Sequence, residues 1–77
     1  MNKLKLKEFN DEHIVYLYQP EGRGEYGEIV YAFSDGVAKI VKRASENSNW
    51  HDNKALLKVE ECAQGSELPL DFTQAWY

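Results

Sequence analysis

Cysteine and long apolar runs are scarce in this chain of 77 residues. Cys62 is the only cysteine, so no disulfide can form within the chain, which argues against a small secreted scaffold. No segment approaches the ~20 apolar residues that span a bilayer. Lysines interrupt the leucines at residues 3–7, unlike the apolar stretch of a signal peptide. We therefore predict a soluble, cytoplasmic protein with no membrane partner.

Residues that could perform chemistry are also few. His13 and His51 are the only histidines, and with Cys62 they lack the spacings typical of metal sites. No serine or cysteine lies in a nucleophile motif. Gly22 and Gly24 precede a predicted strand and have carboxylates around them, whereas a phosphate-binding loop leads into a helix. We therefore predict no catalytic residue, no metal and no cofactor, and we do not expect an enzyme.

Length and charge limit the fold and the partners. A chain of this length suits one α+β domain, residues 1–77, and its ten aromatic residues can supply a large buried area. The net charge of −4 arises in residues 44–77, which carry two basic and six acidic side chains. This acidity opposes binding to phosphate backbones, so a nucleic-acid partner is not expected.

Three segments have the β-branched and aromatic composition of strands: 13–19, 28–34 and 37–43. Asp35 and Gly36 separate the last two and suit a two-residue type I′ turn. That turn would pair Tyr31 with Ile40 and would leave the other face of the hairpin mixed in character. A helix over 37–44 is the alternative, because its apolar residues also have helical spacing. We favour the strand, since Gly36 is a poor residue for a first helical turn.

A short strand or an ordered arm is expected at the N-terminus, around Leu4 and Leu6. Its lysines at positions 3, 5 and 7 are typical of the solvated face of an edge strand.

Residues 49–64 predict a single helix. Its buried face would carry Asp52, Ala55, Leu56, Val59, Cys62 and Ala63, and Gly65 suits the residue after its end. The predicted fold is α+β: an antiparallel sheet of three to four strands, packed on one face by this C-terminal helix, with a docked aromatic tail.

The expected function is that of a non-enzymatic protein-interaction module whose partner is another protein or a second copy. Strand 13–19 is apolar on both faces and the tail is aromatic, and such surface needs a cover. The residues proposed to contact a partner are Arg23, Tyr26, Trp50, His51, Trp76 and Tyr77. The sequence leaves open whether the C-terminal aromatics belong to the core or to an interface. Two alternatives remain: an acidic inhibitor that mimics nucleic acid, and a small ligand-binding protein.

Overall fold

The computed structural model describes residues 2–45, 49–65 and 68–74, which form one antiparallel sheet and one helix. The strands are β1 (Asn2–Phe9), β2 (His13–Pro20), β3 (Gly27–Ala32), β4 (Val37–Lys42) and β5 (Asp71–Gln74), and the helix is α1 (Asn49–Gln64). The strand order across the sheet is β4-β3-β2-β1-β5. The α+β class is confirmed. The predicted count of three to four strands is too low, because β1 is a full strand and residues 71–74 of the tail add a fifth.

The face of the sheet that packs against α1 forms the core. Alternation is clearest in β3, where Gly27, Ile29 and Tyr31 are buried while the residues between them are half-buried, as the twofold period of a strand requires. The buried sheet residues that meet the helix are Leu4, Ile14, Tyr16, Tyr18, Ile29, Tyr31 and Ala38.

The β3–β4 hairpin confirms the strand predicted over 37–43, which the structure has as Val37–Lys42, and excludes the helical alternative. The predicted register is wrong. Tyr31 pairs with Ala38 rather than with Ile40. Residues 33–36 form a four-residue loop, in which the N–H groups of Asp35 and Gly36 donate to the carbonyl of Ala32 at 3.2 and 2.9 Å. Gly36 alone in this loop has a positive φ, 68°, whereas a type I′ turn needs two. The shift is two residues as far as Ile40, so these side chains keep their predicted faces. An irregularity between Glu28 and Ile29 then places Lys42 opposite Glu28 rather than opposite Ile29.

The helix α1 has the predicted bounds and buries Asp52, Ala55, Val59 and Cys62. Since β4 and β5 are the two edge strands, α1 carries the chain across the whole of one face of the sheet. β5 then pairs with β1, and the ring of Phe72 packs edge-on against Tyr16 at 6.0 Å. The tail is therefore docked as far as residue 74, while the predicted contacts of Trp76 and Tyr77 lie outside the described residues.

Candidate interaction surface

The face of the sheet opposite α1, which we call the open face, carries an apolar belt. Its members alternate along the strands with the buried residues: Val15, Leu17, Val30, Ala32, Val37 and Val41. Val15 pairs with Val30 at the centre of the sheet. On β4 the belt is uncovered, because Val37 is 45% exposed and Val41 is 60% exposed. Among the described elements, the only helix packs on the other face of the sheet.

The two ends of the open face differ in charge. At one end, which we call the basic end, lie Lys3, Lys5 and Lys42, with Asp71 opposite Lys5 and Glu28 opposite Lys42. At the other, the acidic end, lie Glu8, Asp11, Glu12 and Asp35. Glu28 of the basic end pairs with Lys7 across β2, with Nζ 2.7 Å from Oε1. Lys39 lies 3.6 Å from Asp35 with both side chains more than half exposed, so the acidic end also carries one positive charge, held in a weak ion pair.

A hollow of about 440 Å³ opens at the acidic end. Val30, Ala32 and Phe33 provide its apolar wall, and Asp11, Glu12, His13 and Ser34 complete the lining.

Hydrogen bonds hold the loops around this hollow. The side-chain oxygen of Asn10 accepts from the N–H groups of Glu12 and His13 at 2.8 and 3.0 Å, a local turn that asparagine favours. Phe33 donates its N–H to the carbonyl of Glu12 at 3.1 Å, which ties the β3–β4 loop to the β1–β2 loop. His13 Nε2 lies 2.5 Å from Glu8 Oε2. These hydrogen bonds fix the two loops that form the acidic end.

On the helix side of the sheet, buried polar groups satisfy one another. Tyr18 donates its hydroxyl to Asp52 Oδ1 at 2.9 Å and accepts from the N–H of Ala44 at 3.2 Å. Arg43 contacts Asp52 Oδ2 through Nε at 3.1 Å and Nη2 at 2.9 Å. Burial raises the pKa of Tyr18 to about 12. These groups pair with one another, and none of them lines the hollow at the acidic end.

Tyr16 and Cys62 are buried in the same way. Tyr16 donates its hydroxyl to the carbonyl of Pro69 at 2.7 Å, and burial raises its pKa to about 12. Burial also raises the pKa of the Cys62 thiol, which makes it a poor nucleophile. Across residues 2–45, 49–65 and 68–74, no group of three or more His, Cys, Asp or Glu side chains could hold a metal ion. Over the same ranges, no helix is both long and apolar enough to cross a membrane.

The structure brings together only part of the sequence-predicted contact set. Trp50 stacks edge-on against His51 at 5.4 Å, and His51 Nε2 lies 3.1 Å from Glu21 Oε1. Arg23 is exposed and Tyr26 is half-buried in the β2–β3 loop. None of these four predicted residues lines the hollow, and Trp76 and Tyr77 lie outside the described residues.

The open face was missed as a site by sequence reasoning. Two features of the sequence do indicate it. The strand β2 is apolar on both faces, and the second face of the predicted hairpin carries both apolar and polar side chains.

Comparison with known proteins identifies no relative of this chain. No protein-family model matches the sequence, no curated protein matches it, and no solved structure matches the fold. The function is therefore inferred from the surface of the chain itself.

Proposed function

We propose that this protein is a non-enzymatic protein-interaction module that self-associates through the open face. The main observation behind this proposal is the apolar belt on the open face. The helix α1 covers only the opposite face of the sheet. Val37 and Val41 expose about half of their area beside half-buried Val30 and Ala32. Lys39 lies between these two valines on β4, opposite Val30, and an exposed apolar patch with polar side chains at its border is typical of an interface.

The size of the face supports a weak dimer. Four strands of six to eight residues are ~20–26 Å long, and with the shorter β5 of four residues they span ~19 Å, so the face has a projected area on the order of 500 Å². A standard interface covers about 800 Å² on each partner. A second copy packed on this face would therefore bury an area at the low end of the range, which is typical of weak or transient contacts.

The β4 edge supports a face-to-face contact over strand addition. The N–H of Ala38 points away from β3 and donates to Glu60 Oε2 at 2.9 Å. This carboxylate occupies a position where an added strand would have to bond. Blocking an exposed edge in this way is a common protection against edge pairing.

The helix offers little support for nucleic-acid mimicry. Asp52 is buried and bound by Arg43, and Glu60 bonds to β4. Glu61 lies 3.3 Å from Lys58 Nζ. The carboxylates of α1 therefore do not form a free acidic row, which an inhibitor of a basic groove would need.

The proposal is tested by sedimentation equilibrium of the wild-type chain, Val41→Lys and Leu57→Lys. Leu57 is the matched control, because it is 62% exposed on α1 while Val41 is 60% exposed on the open face. The concentration range should be about 1–500 µM, which brackets a weak interface.

We expect the wild-type mass to rise toward that of a dimer, Leu57→Lys to follow it, and Val41→Lys to remain monomeric. A wild-type monomer at the highest concentration would refute the proposal. So would equal effects of the two substitutions.

A further inference from the structure

The open face is complementary in charge to itself when its strands are reversed. On β1, Lys3 and Lys5 occupy one end and Glu8 the other. On the β3–β4 side, Lys42 occupies the basic end and Asp35 lies in the loop at the acidic end. Glu28, which lies opposite Lys42, is paired with Lys7. A second copy turned about a twofold axis perpendicular to the strands would place each basic end on an acidic end. The parallel arrangement would instead bring like charges together, which costs affinity.

The hollow gives this contact a specific form. Val30, Ala32 and Phe33 form an apolar wall, and Asp11 and Glu12 stand at the rim. A lysine side chain has matching chemistry, since its methylene stem packs on apolar surface while its ammonium stays among polar groups. The carboxylates of Asp11 and Glu12 are exposed and make no ion pair in the described part of the chain.

We infer that the second copy lies across the open face with its strands antiparallel to those of the first, so that Lys3 or Lys42 of one copy enters the hollow of the other. This inference rests on the proposed self-association. In a twofold interface every contact occurs twice, so each hollow receives a lysine and one substitution acts at two places.

The test uses two charge-reversal variants of the full chain. The acidic-end variant is Asp11→Lys/Glu12→Lys, and the basic-end variant is Lys3→Glu/Lys42→Glu. Glu61→Lys, on the outer surface of α1, controls for a change of charge alone. Sedimentation equilibrium is measured for each variant and for an equimolar mixture of the two, with circular dichroism to verify folding. Should a reversal unfold the chain, Asp11→Asn/Glu12→Gln replaces it and should weaken the dimer about threefold.

We expect each variant alone to dimerise at least about tenfold more weakly than the wild type, and the mixture to regain the wild-type affinity within about threefold. Glu61→Lys should leave the affinity unchanged. Wild-type dimerisation by either variant alone, or a mixture that stays monomeric, would overturn the antiparallel arrangement. In those cases Val41→Lys still reports on the open face itself, so failure of the arrangement is distinguished from failure of the proposed function.

Discussion

The hydrogen bonds between Tyr18, Asp52 and Arg43 provide the sharpest test of the core. Asp52 is 5% exposed and accepts the hydroxyl of the fully buried Tyr18. Removing the carboxylate in Asp52→Ala leaves that hydroxyl without its acceptor, which costs ~1–3 kcal/mol. It also removes an acidic side chain from the first turn of α1, where the helix dipole favours it by ~0.3–1 kcal/mol.

The loss of Arg43 as a partner adds little, because its side chain is 54% exposed and water can hydrate the released guanidinium. We therefore expect Asp52→Ala to lower the free energy of unfolding by about 2–4 kcal/mol. A domain of this length has a total stability of only about 4–11 kcal/mol, so the effect is large.

The assay is urea unfolding followed by circular dichroism at low micromolar concentration, where self-association does not contribute. Tyr18→Phe should cost about 1–2 kcal/mol, because Asp52 keeps its two contacts with Arg43. The double variant should cost less than the sum of the single variants by about 1 kcal/mol, since both remove the same bond. Asn53→Ala, at an exposed neighbouring position on α1, is the control and should change stability by less than ~0.5 kcal/mol. Full additivity, or a loss below ~1 kcal/mol for Asp52→Ala, would refute this reasoning.

Three further predictions concern other parts of the molecule. Gly27→Ala should lower the free energy of unfolding by ~1–3 kcal/mol, because the added Cβ would lie 2.6 Å from a carbonyl oxygen of β4. A urea titration checks this, with Gly65→Ala as the control, since a Cβ added there would have its nearest neighbour at 3.4 Å. Burial holds the pKa of Tyr16 and Tyr18 at about 12 in the folded chain against 10.0 ordinarily; the unfolded chain therefore releases these protons first, so stability is full below pH 10 and falls as the pH rises toward 12. Circular dichroism recorded together with tyrosinate absorbance should show this fall, and constant stability from pH 9 to 12 would contradict it. The buried Cys62, with its raised pKa, should react with a thiol reagent far more slowly in the folded chain than in urea, and equal rates would contradict its burial.

Local signals explain what was predictable in the fold. The bounds of α1 follow from a single apolar stripe with Gly65 after its end, and β2 and β3 follow from their composition. The hairpin register could not be derived in the same way, because Asp35-Gly36 fits both a two-residue and a four-residue loop. The structure has the four-residue loop, in which Gly36 is the one residue with a positive φ. The strand β5 was missed because its partner β1 lies about 70 residues away along the chain.

The candidate surface was harder to predict than the fold. Trp50 and His51 attracted attention by residue type, but the structure places them at the start of α1, away from the hollow. The open face mixes valine with lysine along β4, a pattern that also fits an ordinary solvated sheet. Its charge separation becomes visible only when the strand order sets Asp11 and Glu12 beside the loop that holds Asp35.

The position of β1 between β2 and β5 bears on how the chain folds during synthesis. Until residues 71–74 leave the ribosome, β1 has a neighbour on one side only, and its second row of backbone groups faces solvent. Lys3, Lys5 and Lys7 would then discourage other nascent chains from pairing with that temporary border. The sequence pattern of these lysines is typical of an edge strand. In this protein they would protect an internal strand during the interval before β5 pairs with it.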